Sequence, residues 1–179
     1  MLDIIFEPIT KKDVKDALIL YNHYIKTSTS TFSIAPLEEP EMEQILFSGL
    51  ERFPSFKILY EDKFVGYVLL NRYKPREAYD QTAEVTVYLD EAYHGQGLGY
   101  EALKFIETFA KEHEFRALLG VICAENTGSI KLFERLGYFK CAHFKEVGKK
   151  FDRLLDVVIY EKLLENDVLC HASRPNTIE

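Results

Sequence analysis

Two short stretches and one strand carboxylate hold the residues whose type and spacing suit chemistry. The first stretch is His94-Gly95-Gln96-Gly97-Leu98-Gly99, lying between an alternating pattern, "TAEVTVYLD", and a helical one, "YEALKFIETFAKEH". Glycine costs backbone entropy on folding, so glycines at alternate positions answer a need. Either they allow a tight strand-to-helix corner, or they remove side chains that would keep an anion from the free amides at a helix start. No Gly-Lys-Ser/Thr closes a P-loop. A dinucleotide fingerprint is not completed either, because helical periodicity resumes after Gly99 with Tyr100. The second stretch, "ENTGSIKLFERLG", places Asn126 where a helix needs an N-cap and Gly137 where it needs a terminator. The carboxylate is Glu84, on the strand face opposite Val85, Val87 and Leu89. Glutamate is disfavoured in strands, so it is either solvated or held there for a purpose. Burial would raise its pKa towards the range of a general base.

These residues need elements to position them. "DIIFEP" reads as a first strand, and Thr10 with Asp13 as a capping box before a helix whose stripe is Val14, Ala17, Leu18, Tyr21 and Ile25. A Ser/Thr loop, "STSTFSIAP", leads to a second helix over "LEEPEMEQILFSGL" that should end at Gly49. "FKILYEDKFVGYVLLNRY" reads as a hairpin turning at Glu61-Asp62-Lys63. After the strand holding Glu84 and the glycine stretch, a helix buries Ala102, Leu103, Ile106, Phe109 and Ala110, and "RALLGVIC" is a buried strand. "YFKCAHFKEVG" and "FDRLLDVVIYEKLL" close the fold as two strands joined through Gly148. The expected class is α/β, a mixed sheet flanked by helices, and not a regularly alternating doubly wound sheet. One domain should span residues 1–165, with a polar tail over 166–179.

Composition narrows the functions. The net charge of −7 argues against a general nucleic-acid binder. No apolar run reaches membrane-span length, and no secretory leader is evident, so a soluble cytoplasmic protein is expected. The three cysteines, Cys123, Cys141 and Cys170, have no paired spacing, and the five histidines form no ligand motif. Reduced thiols and no metal are therefore expected.

The two stretches together resemble the GNAT superfamily of acetyltransferases. Gly97 and Gly99 fit its acyl-CoA motif, Arg/Gln-x-x-Gly-x-Gly/Ala, with His94 where the family has Arg or Gln. Asn126, Ser129, Leu132, Gly137 and Tyr138 fit its Asn-x-x-Ala/Ser, Leu-Tyr and Gly-Phe/Tyr series. "LYNHYIKTSTSTF", "YKPREAYDQTAEVTVYL" and "EVGKKFDRLLDVVIYEKLL" are similar to blocks of its phosphinothricin and L-amino-acid N-acyltransferase branch.

The resemblance implies acetyl-CoA as acyl donor, held by Val87, Tyr88, Leu89, His94, Gly95, Gln96, Gly97, Leu98, Gly99, Asn126, Ser129 and Phe133. His94 either donates to phosphate or is a solvated loop residue. It implies Glu84 as base and direct attack of an amine on the thioester. A carboxylate-bearing acceptor would suit Arg76, Arg72 and Tyr79, since guanidinium pairs with carboxylate bidentately, and Phe32 on the Ser/Thr loop would line the same site. Phe133 departs from the family, which has Tyr or His there to protonate the departing thiolate. That task would fall to water, Tyr88 or Tyr138. A homodimer is also implied. Competing readings are acetylation of peptide N-termini or polyamines, and an acyl-CoA-binding module without catalysis.

Overall fold

A computed structural model describes residues 3–164. Its centre is one seven-stranded sheet in the order β1-β2-β3-β4-β5-β7-β6. The strands are β1 Ile4–Pro8, β2 Ser55–Tyr60, β3 Lys63–Arg72, β4 Thr82–Leu89, β5 Ala117–Cys123, β6 Phe139–Lys150 and β7 Arg153–Leu163. Every neighbouring pair is antiparallel except β4 and β5. Helices α1 (Val14–Thr27) and α2 (Glu39–Leu46) cover one face, and α3 (Leu98–Glu112) and α4 (Thr127–Arg135) the other. The mixed αβ class read from sequence is the one observed.

The two faces follow from strand alternation. Val68, Leu70, Ala83 and Val85 point towards α3 and pack on Leu98, Ala102, Leu103 and Ile106. Tyr67 and Leu69 point the other way, onto Ala17, Tyr21, Tyr24 and Met42. Glu84 is register partner of Asn71, and Thr86 of Leu69, so Glu84 lies on the α1 side.

Local signals are mostly honoured. Thr10 and Asp13 form the capping box, although a single 3-10 turn precedes α1. Asn126 caps α4 by accepting the Ser129 amide at 3.0 Å. The β2–β3 turn has Glu61 and Asp62 at positive φ, 50° and 60°. Two expectations are corrected. The second helix stops at Leu46, short of Gly49. The last two strands turn at Phe151-Asp152, with φ of 51° and 56°, and not at Gly148. Gly148 lies within β6 beside a register shift, where a Cβ would run into the ring of Phe32. It is needed for close approach, a signal that mimics a turn in sequence. The expected tail lies outside the described residues.

Gly120 meets the same constraint on β5: an added Cβ would overlap the Phe133 ring. Gly120→Ala should destabilise by about 1–3 kcal/mol, as overpacking does. The double variant Gly120→Ala/Phe133→Leu should regain part of the loss. Urea unfolding midpoints at a constant slope test both.

Candidate active site

The site begins where a ladder ends. β4 and β5 pair only at Thr82–Ala117, Ala83–Leu118 and Glu84–Leu119. Beyond Glu84, β4 stays paired with β3 and β5 with β7, while their facing edges separate. A fork results, in which the facing edges of residues 85–88 and 120–123 have no strand partner across the gap. The gap is a cavity of about 560 Å³, a size that suits a small-molecule site. An extended ligand bearing amides can pair with those edges as a strand would.

One mouth of the cavity is built for an anion. Gly95 and Gly97 take φ of 76° and 88°, a region open to glycine. Gly99 has ordinary φ but sits where a Cβ would come 3.1 Å from Leu132. The glycine stretch thus serves both purposes left open by sequence: left-handed turns and close packing. Gly97 caps α3, whose first recorded backbone bond runs from the Glu101 amide to the Gly97 carbonyl at 3.2 Å. The amides of Leu98, Gly99 and Tyr100 precede it and are free for phosphate oxygens. Lys131 and Arg135, one helical turn apart on α4, line the same cavity with Tyr100. Arg135 lies 4.5 Å from the Tyr100 ring centroid. Sequence reading missed these three, although a basic pair at i, i+4 following a capped helix start was a usable signal.

Of the residues expected to hold the donor, Val87, Tyr88, Leu89, His94, Gly95, Gly97, Leu98, Gly99, Asn126, Ser129 and Phe133 line the cavity. Gln96 does not; its side chain donates to the Ala92 carbonyl. His94 is exposed, yet its Nε2 is 3.0 Å from the Tyr24 hydroxyl, which itself donates to the Leu89 carbonyl. The contact joins the end of β4 to the start of the glycine stretch through Tyr24. Tyr24 is a further lining residue that sequence reading left in the α1 stripe.

Glu84 stands at the vertex of the fork, at the last paired position. It is half-buried, makes no hydrogen bond or ion pair with the described residues, and burial pushes its pKa up. Beyond it the Ser/Thr loop crosses the gap on the α1 side. Tyr88 donates to the Ser30 carbonyl at 3.2 Å, and Asn126 Nδ2 donates to Ser30 Oγ at 3.2 Å. Lys150 Nζ donates to the Thr31 carbonyl at 2.8 Å. Tyr21 shares a 2.7 Å hydrogen bond with Thr31 Oγ1. The loop is therefore tied to β4, α4, β6 and α1 at once.

Other expected residues fall outside the cavity lining. Arg72 is held by Asp80, with an Nη2–Oδ1 distance of 2.7 Å. Arg76 is exposed at the start of a short 3-10 turn, and Tyr79 packs edge-on against Tyr73. Phe32 rests on Gly148. Tyr138 lies behind Phe133, 4.8 Å between centroids, and does not line the cavity. Phe133 itself is buried and fills the floor beside Gly120. Tyr88 and Tyr24 reach the cavity with their phenol pKa values raised, burial being the main cause.

Comparison with known proteins agrees with this geometry. Residues 18–138 match the model of the acetyltransferase (GNAT) family. The chain is 32% identical over 164 residues to a phosphinothricin N-acetyltransferase of Streptomyces coelicolor, covering 88% of this chain and 94% of that one. It is 26% identical over 157 residues to an L-methionine sulfoximine/L-methionine sulfone acetyltransferase of Pseudomonas paraeruginosa, covering 86% and 90% respectively. Its fold is shared with a GNAT superfamily phosphinothricin acetyltransferase from Sinorhizobium meliloti, solved in complex with AcCoA. The TM-score is 0.85 at 23% identity, with 90% of this chain and 88% of that one covered. A forked β4–β5 pair with a glycine-lined helix start at its mouth, on a chain matched over most of its length, places this protein in the GNAT family of N-acetyltransferases.

Proposed function

We propose that the protein acetylates the amino group of a small amino acid or analogue of the phosphinothricin or methionine sulfoximine type. The observation that carries this is Glu84: a half-buried, unpaired carboxylate at the vertex of the donor fork, facing the side roofed by the Ser/Thr loop. Acetyl-CoA, when bound, supplies an acetyl group activated as a thioester. The amides of Leu98, Gly99 and Tyr100 hold its pyrophosphate, and the free edges of β4 and β5 align its amide-bearing arm. Lys131 and Arg135 sit where a further phosphate can be met.

The acceptor enters from the α1 side and attacks the thioester directly. Glu84, with its raised pKa, takes the proton from the incoming ammonium, directly or through water. Phe133 offers no proton to the departing sulfur. A thiol has a pKa of about 8.5, so the thiolate can leave unassisted and collect its proton from water or from Tyr88. Arg76, on the loop before β4, makes no ion pair among the described residues, whereas Arg72 is neutralised by Asp80. Dimerisation draws support from exposed Val121, Phe144, Val147, Phe151 and Leu154, all on β5, the edge strand β6, and β7 with its turn. A long apolar edge of this kind favours pairing with another copy.

Glu84→Gln should lower kcat by roughly 10²–10⁴ while acetyl-CoA affinity stays near normal. Release of free CoA thiol, measured across amino acids, peptides and polyamines, checks it; unchanged turnover excludes Glu84 as the base. The sign of the pH effect is set by the raised pKa. Folded protein then binds the proton more tightly than unfolded chain, so the Glu84 contribution to stability falls as pH rises from the ordinary carboxylate pKa through the raised one. Thermal unfolding of Glu84→Gln should lose that dependence.

Replacing both Lys131 and Arg135 by Ala should raise the KM for acetyl-CoA. It should also erase any preference over acetyl-dephospho-CoA, which lacks the 3′-phosphate. In sedimentation, the protein should run near twice its chain mass of 20.8 kDa, and Phe144→Asp/Leu154→Asp should return it to the single-chain value.

A further inference from the structure

Among the described residues, two charged side chains are buried, Glu107 and Lys150. Glu107 has its counter-ion, Lys162 Nζ, at 2.6 Å. Lys150, 4% exposed, has none among the described residues. Its ammonium donates once, to the Thr31 carbonyl, and lies 5.1 Å from the Phe151 ring centroid. Three N–H groups and one acceptor leave two donors unspent among the described residues. Burying a cation without an anion is expensive, and burial here pushes the lysine's pKa down. The feature is therefore costly unless an anion comes to it.

Its position says which anion. Thr31, the carbonyl partner, follows Ser30, and Ser30 lines the cavity. Cys123, near enough to Lys150 to act on the lysine electrostatically, lines it as well. Lys150 thus lies behind the cavity wall, one residue from lining Ser30, bonded to the loop that crosses the α1 side. The other nearby cations are spent or outside: Arg153 is forked onto Glu125 at 2.7 and 3.0 Å, and Arg72 is paired with Asp80.

We infer that Lys150 seats an oxyanion of the acceptor, either the α-carboxylate of an amino acid or the phosphinate of phosphinothricin, beneath the Ser/Thr loop. This rests on the acetyltransferase reading of the fork and adds a residue that decides which amines are accepted. Amino acids and their phosphinate analogues are then favoured over polyamines, which carry no oxyanion to fill the seat.

Four acceptors separate the sources: methionine sulfoximine with a carboxylate alone, 3-aminopropyl(methyl)phosphinate with a phosphinate alone, phosphinothricin with both, and butylamine with neither. Lys150→Met should reduce kcat/KM by roughly 10- to 100-fold for acceptors bearing the seated anion, the scale of one charged hydrogen bond. Butylamine should change less than about two-fold, and the KM for acetyl-CoA should hold. Losses on the first and third acceptors identify the carboxylate, and losses on the second and third the phosphinate. An equal loss on all four overturns the inference, since Lys150 then only anchors Thr31. Should the variant fail to fold, the ¹⁵Nζ resonance of Lys150 in wild-type protein with CoA decides: a shift with phosphinothricin but not butylamine supports the seat, and no shift overturns it. That resonance reads binding alone, whereas absence of CoA release from wild type with every amine would instead defeat the acetyltransferase reading.

Discussion

The end of hydrogen bonding between β4 and β5 after Glu84 and Leu119 is the constraint on which the site depends. Two central strands give up their mutual ladder yet keep their outer partners, so the sheet stays whole while its middle opens. Exposed strand edges invite pairing, and here the opening is guarded on both faces. α4 packs Phe133 onto Gly120 from one side, and the Ser/Thr loop spans the gap from the other. The edges left free are those a thioester donor's amide-bearing arm can use, and Glu84 stands at the vertex between them.

Charge is distributed with the same economy. The protein is acidic as a whole, at −7, yet cations border the cavity: Lys131 and Arg135 line it from α4, and Lys150 lies under the loop. The contrast with Glu107 and Lys162 is instructive. Glu107 has a counter-ion in Lys162, which also donates to the Leu136 carbonyl at 2.7 Å and holds β7 against α3 and the end of α4. Lys150 has none among the described residues.

Tyrosines supply the rigidity between these regions. Tyr21, Tyr24 and Tyr67 surround Tyr88 at centroid distances of 5.3 to 5.4 Å, locking α1 and β3 to the free arm of the fork. Tyr24 also ties the last carbonyl of β4 to His94, the first residue of the glycine stretch. Phe133 shows the opposite choice. This chain has a buried apolar ring there, seated against a glycine, with no proton to give.

Much of this was legible in the residues themselves, because it depends on neighbours in sequence. Alternation in "TAEVTVYLD" put Glu84 opposite Val85; the capping box at Thr10 and the cap at Asn126 lie within one helical turn; the glycine stretch marked a helix start open to anions. The errors were local signals with non-local causes. Gly148 looked like a turn but makes room for Phe32, more than a hundred residues away in sequence. Arg72 is ion-paired with Asp80, a contact set by how the intervening loop folds. What the sequence determined alone was the element types, their faces and the family of chemistry, since periodicity and capping act over a few residues. Tertiary structure alone decided where β4 and β5 part, that Lys131, Arg135 and Tyr24 share one cavity, and that Lys150 is buried without a counter-ion. Burial and pairing depend on which distant segments meet, and no window along the chain contains that information.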